Sequence, residues 1–170
     1  MVDLEQVKFS DSKDKRFIFA GDMRYSYVGL NIKEIADKVS DKLNRINKKI
    51  NIIVVGKNNK WIADIFCKKK ELNVEYYTWI ENYQDICNIN TDIHCVPLIT
   101  GGGTKNRVLT ALANGLNIIS TNIGIENIPI EGLNNVKVAN NMNTFTDEMI
   151  YFNQLKYSKI DLIKIKKFRS

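Results

Sequence analysis

The strongest constraint on this chain's fold is the regular alternation of short, largely apolar runs with stretches whose apolar residues recur at helical spacing. Residues 16–20 (Arg-Phe-Ile-Phe-Ala) form one such run, closed by Gly21. Similar runs occupy 51–55, 74–79, 93–98 and 116–121, with a weaker one at 136–139. Between them, Ile32, Ile35, Ala36, Val39, Leu43 and Ile46 trace a helix that Asn31 can cap, with Glu34 completing a capping box. Further helices are predicted around Trp61, Ile62, Ile65 and Phe66, over 83–89, over 105–114 with Gly115 closing it, and over 144–155. Strands that are apolar throughout and separated by helices indicate a parallel sheet covered on both faces. The predicted fold is therefore α/β, a doubly wound, Rossmann-like sheet of about six strands. In such sheets ligands bind at the carboxyl ends of the strands, near the point where strand order reverses.

With 170 residues, the chain suits one domain, with a core over about 15–155 and a basic segment at 157–170. The 44% apolar content and two prolines exclude collagen-like and broadly disordered classes. Residues 1–10 contain Asp3, Glu5 and Lys8 and no signal-like apolar stretch, and no run approaches the length of a membrane span. Cys67, Cys87 and Cys95 have no metal-type spacing and read as reduced thiols of a cytoplasmic protein. The net charge of +6 favours anionic partners: nucleic acid, an anionic membrane surface or phosphorylated small molecules. No nucleic-acid motif accompanies it, and none is expected as a partner. In residues 159–169, basic residues alternate with Ile160, Leu162, Ile163, Ile165 and Phe168. That segment suits docking on a partner domain, peripheral contact with the inner face of a membrane, or packing on its own sheet.

The segment richest in chemical information follows the fourth strand: Val96, Pro97, Leu98, Ile99, Thr100, Gly101, Gly102, Gly103, Thr104, Lys105, Asn106, Arg107. Three glycines remove every Cβ where strand turns into helix, so backbone N–H groups can approach an anion at a positive helix terminus. Lys105 and Arg107 in the first turn oppose the helix dipole, and a bound diphosphate would reverse the sign of that interaction. A flexible loop with two solvated cations is the plain alternative. The segment matches neither the Walker A pattern nor Gly-x-Gly-x-x-Gly. His94, the only histidine, lies within a strand and reads as a core residue. Its neighbour Cys95 points to the opposite face, and no metal site is expected.

Residues 74–128 resemble the donor-binding, C-terminal half of GT-B glycosyltransferases, particularly the retaining family 4 (glycosyl transferases group 1) enzymes. Residues 74–80 look like the family's strand and loop that pass the nucleotide base. Residues 92–98 followed by 101–107 look like its V-x-P-L … G-G-G-T-[KR]-x-[KR] signature. Residues 108–121 with Gly124 and Glu126 look like L-E-A-M-A-x-G-x-P-V-V-x-T … G-x-E. Weaker matches at 17–22 and 52–56 extend the likeness over about 15–155. The resemblance implies that Gly101, Gly102, Gly103, Thr104, Lys105 and Arg107 grip the diphosphate of a nucleotide-sugar donor. Weaker nucleotide or sugar contacts fall to Arg24, Trp79, Thr110 and Glu126. No cofactor beyond that donor is implied, and the catalytic residues are not among those identified. An N-terminal acceptor-binding domain, in a longer protein or a separate subunit, would complete the enzyme.

Several positions depart from the pattern. Thr110 stands where the family usually has the ribose-binding Glu, Gly102 where many have a second Glu, and Asn117 where the next strand has Pro. Asp22 follows Gly21 where Arg is common, with Arg24 two positions on. A Thr hydroxyl offers one neutral hydrogen bond in place of a charge-assisted one. These departures support the other reading, a non-catalytic Rossmann-like interaction module that has lost donor binding. Trp79 fits either stacking on a base or capping the core.

Overall fold

The structure is a computed structural model, and it describes residues 14–21, 24, 26–81, 88, 91–100 and 105–155. Among the described residues there are six strands and four helices, in the order β1 (Arg16–Ala20), α1 (Ser26–Arg45), β2 (Ile50–Val55), α2 (Lys60–Cys67), β3 (Leu72–Tyr77), β4 (Asp92–Val96), α3 (Lys105–Ala113), β5 (Asn117–Ser120), β6 (Val136–Val138) and α4 (Met142–Gln154). Every strand pair is parallel, and the order is β3-β2-β1-β4-β5-β6. The α/β, doubly wound sheet read from the sequence is the sheet observed. Its strand order reverses between β1 and β4, which places the switch-point crevice beside the exits of those two strands. Of the helix anticipated over 83–89, all but Asn88 lies outside the described residues.

Burial explains why the sheet is apolar on both faces. Phe17, Phe19, Ile52, Val54, Ile93, Cys95 and Ile119 pack under α1, α2 and α4 through Ile32, Ile35, Val39, Leu43, Ile62, Phe66, Phe145 and Met149. On the opposite face, α3 covers Val96 and Ile118 through Val108, Ala111 and Leu112. Ile18, Ala20, Ile53 and Val55 form a further buried group there, with Ile80 against it. Strand residues alternate between these clusters, as the two-residue period requires.

One boundary departs from expectation. Helix α1 begins at Ser26, five residues before the anticipated Asn31 cap. Val28 is buried on the same stripe as Ile32, Ile35 and Val39, so the apolar period runs back through Asn31 without interruption. Asn31 is a buried helix-interior residue, and its amide reaches out of the helix to the chain after β4. Glu34 lies 3.9 Å from Lys38, a helix-surface pair, and is not part of a capping box. Helix α4 likewise starts at Met142, where the Asn141 side chain accepts from the Thr144 N–H at 2.9 Å.

The amino ends of β1 and β4 are joined by charge. Arg16 donates through Nε and Nη2 to the two carboxylate oxygens of Asp92, both at 2.6 Å, and the Asp92 side chain is fully buried. Asp92 also accepts from the Asn88 N–H at 2.9 Å and the Thr91 hydroxyl at 3.1 Å. The hydrogen bond to Asp92 raises the Arg16 pKa above its ordinary value. Arg16→Met would leave that carboxylate buried without a counter-ion, at an expected cost of about 3–5 kcal/mol. Asp92→Asn, which keeps the shape and one of the two acceptor oxygens and leaves a partly exposed arginine, should cost less. Urea denaturation of the two variants and the wild type measures both values and their order.

Candidate functional site

The carboxyl edge of the sheet is built by extending its hydrogen-bond ladder past the last strand residues. The Gly21 N–H donates to Val55 O at 3.0 Å, and the Gly56 N–H to Tyr77 O at 2.9 Å. Asn59 binds Gly21 O through its amide, so the exits of β1 and β2 are tied together. Gly56 sits at φ 145°, and a Cβ there would collide with Gly21 O. Glycine is required at this close approach.

The exit of β4 is held more tightly still. Val96 O accepts from the Thr121 N–H at 3.2 Å, Pro97 O from the Asn31 side-chain amide at 2.7 Å, and Leu98 O from the Thr121 hydroxyl. Three consecutive carbonyls are thus fixed by groups from α1 on one side and the end of β5 on the other. Beyond them Ile99 and Thr100 are exposed, and the chain re-enters the described structure at Lys105, the first residue of α3. Gly101, Gly102, Gly103 and Thr104 lie outside the described residues. Their flanks connect the carboxyl end of β4 to the amino end of α3, the edge anticipated from the sequence. No acidic residue occupies the first turn of α3, whose leading N–H groups have no partner within the helix. Lys105 and Arg107 are both in that turn; their side chains are not described.

The other candidates distribute along the same edge. Arg24 is exposed in the connection from β1 to α1, next to the switch point. Trp79 follows β3 and is 67% exposed, so it does not cap the core. It lies just past the end of the edge strand β3, which is three strand positions and about 14 Å from β4. Thr110 is half-buried one turn into α3, and its hydroxyl donates to Asn106 O at 2.9 Å within the same helix. Glu126 is exposed after β5, in a segment that Gly124 holds close: the Gly124 N–H donates to the Thr121 hydroxyl at 3.3 Å. The structure therefore brings Arg24, the start of α3 and the loop bearing Glu126 to one edge around the β4 exit, with Trp79 at its far end.

Three residues have roles at this edge that were not read from the sequence. Asn31 and Thr121 are buried polar residues acting on backbone carbonyls, for which a single sequence carries no signal beyond residue type. Lys57, directly after Gly56, adds an exposed cation at the β2 exit. His94 is buried in mid-strand, in register with Ile18 and Ile118. Cys95 lies on the opposite face, where burial lifts its thiol well above the usual value and keeps it protonated. A cleft of about 450 Å³ opens at the amino end of the strands beside Lys15, Lys49 and Ile50, away from this edge. Among the described residues, no group of three or more His, Cys, Asp or Glu is placed to hold a metal ion.

Compared with protein families, residues 14–153 match the glycosyl transferases group 1. The chain belongs to that family. Comparison with curated proteins returns no match. The match covers all six strands and α1–α3, and it is consistent with the C-terminal half of a GT-B enzyme. For this glycosyltransferase domain, the segment after β5 is held as closely as the β4 exit it leans on. A Cβ at Gly124 would meet the Ser120 hydroxyl and stand 2.8 Å from a Val96 methyl carbon. Gly124→Ala is expected to destabilise the fold by about 1–3 kcal/mol through overpacking. Its denaturation midpoint checks this, with Glu126→Ala as an exposed control of nearly unchanged stability.

Proposed function

We propose that this chain is the donor-binding domain of a GT-B glycosyltransferase that grips the diphosphate of a nucleotide sugar at the amino end of α3. The observation carrying the reading is the three-carbonyl hold on the β4 exit. It fixes the direction in which the chain leaves β4, beside the switch-point crevice and ahead of the amino end of α3, where a helix terminus favours an anion. Lys105 and Arg107 would neutralise the two phosphates, assisted by the backbone N–H groups of Gly101, Gly102, Gly103 and Thr104. Arg24 would approach from across the switch point, Trp79 and Thr110 from the nucleoside side, and Glu126 from the sugar side.

The same positive groups would stabilise the nucleoside diphosphate as it leaves, the electrostatic contribution that usually dominates such chemistry. Transfer would be retaining, as in the family 4 enzymes, to a sugar or lipid-linked acceptor held by a second domain outside these residues. The work would be done in the cytoplasm, in reach of an anionic membrane surface for a lipid-linked acceptor. No described helix is long and apolar enough to cross a membrane. The competing reading, an interaction module without donor binding, draws on Thr110, whose hydroxyl is engaged with Asn106 O.

Calorimetric titration with UDP and GDP separates the two. A charged contact to phosphate contributes about 1.5–3 kcal/mol, so Lys105→Ala should weaken nucleoside-diphosphate binding roughly tenfold to a hundredfold. Its melting temperature should hold or rise, because the change removes a cation from a helix N-terminus. A wild-type chain that binds neither ligand at millimolar concentration overturns donor binding and favours the interaction module.

A further inference from the structure

We infer that Asn31 is a positioning residue that sets the β4 exit for the nucleoside diphosphate; this rests on the donor-binding reading above. Asn31 lies in the second turn of α1, 9% exposed, and its Nδ2–H donates to Pro97 O at 2.7 Å across 66 residues of sequence. Polar side chains are unfavourable in a buried helix interior unless each is satisfied, and this one is satisfied by a carbonyl just past the strand. An isolated core asparagine would serve the helix equally well with a local partner. This one instead ties the helix that follows β1 to the chain that follows β4.

Those two strands flank the switch point, so the bond spans the crevice at its base. Helix α1 and the chain leaving β4 are thereby set as one unit. Thr121 holds the same exit from the other side through Val96 O and Leu98 O. Removing either hold leaves the strands paired but lets residues 97–100 vary in direction. A bound diphosphate would then have to select the competent arrangement. If that arrangement is populated about a tenth of the time, the apparent Kd rises about tenfold.

The test compares Asn31→Leu, which keeps the shape and helix but lacks the donor, with Ser40→Ala. Ser40 is on the same helix about two and a half turns away, where its hydroxyl donates to Glu71 at 2.5 Å. Both variants lose one buried hydrogen bond, and each is measured for melting temperature and for UDP and GDP affinity. The expected result is a Kd about tenfold higher for Asn31→Leu and unchanged for Ser40→Ala at a comparable loss in melting temperature. Thr121→Val removes the opposing hydroxyl; it should also raise Kd, and it carries the test if Asn31→Leu does not fold. Wild-type affinity in folded Asn31→Leu, or equal weakening in Ser40→Ala, overturns the positioning role while leaving the donor-binding reading intact. A wild-type chain that binds neither ligand overturns that reading, and the positioning role with it.

Discussion

The arrangement of the carboxyl edge depends on how the chain leaves β4. A parallel strand next to the switch point has no turn chemistry of its own to aim the connection that succeeds it. Here the direction is imposed by donors to three consecutive carbonyls, Val96, Pro97 and Leu98. Asn31 comes from the helix after β1, and Thr121 supplies both an N–H and a hydroxyl from the end of β5. Because Pro97 has no N–H to donate, the segment cannot extend the ladder as a regular strand would. Side-chain donors take over where the backbone ladder ends.

The opposite edge holds the sheet together without taking part in that arrangement. The Arg16–Asp92 pair links β1 to β4 at their amino ends, with both carboxylate oxygens engaged and further donors from Asn88 and Thr91. Such a pair adds little net stability relative to an apolar replacement, but it penalises any register other than the one that satisfies it. The register so favoured is the one that sets Ile18 beside His94 and brings the exits of β1 and β4 level. The charge pair at one end and the carbonyl clamp at the other thus act on the same two strands.

Much of this was legible in the sequence, because strand and helix periods are local. All six strands and the four described helices fall within a few residues of their expected places, apart from the start of α1. That start was misread because an asparagine with a glutamate three residues later has the form of a cap. What decides otherwise is burial of Val28 and a carbonyl 66 residues away. Thr121 was hidden for the same reason: a hydroxyl serving a backbone carbonyl in three dimensions leaves no periodic trace. Trp79 shows the complementary limit, its 67% exposure settling between core cap and projecting ring only once neighbours are in place. The glycines ahead of α3 and the cations in its first turn could be read directly, because both are written in residue type.

The measurement that tests the central claim most directly is a titration of the isotopically labelled chain with UDP and GDP, monitored by backbone amide NMR. Donor binding at the amino end of α3 predicts that the largest shifts cluster at the amides of Gly101, Gly102, Gly103 and Lys105, with smaller ones at Leu98, Asn31 and Thr121. Shifts confined to the amino end of the sheet, near Lys15 and Lys49, or the absence of any shift at millimolar ligand, would contradict it.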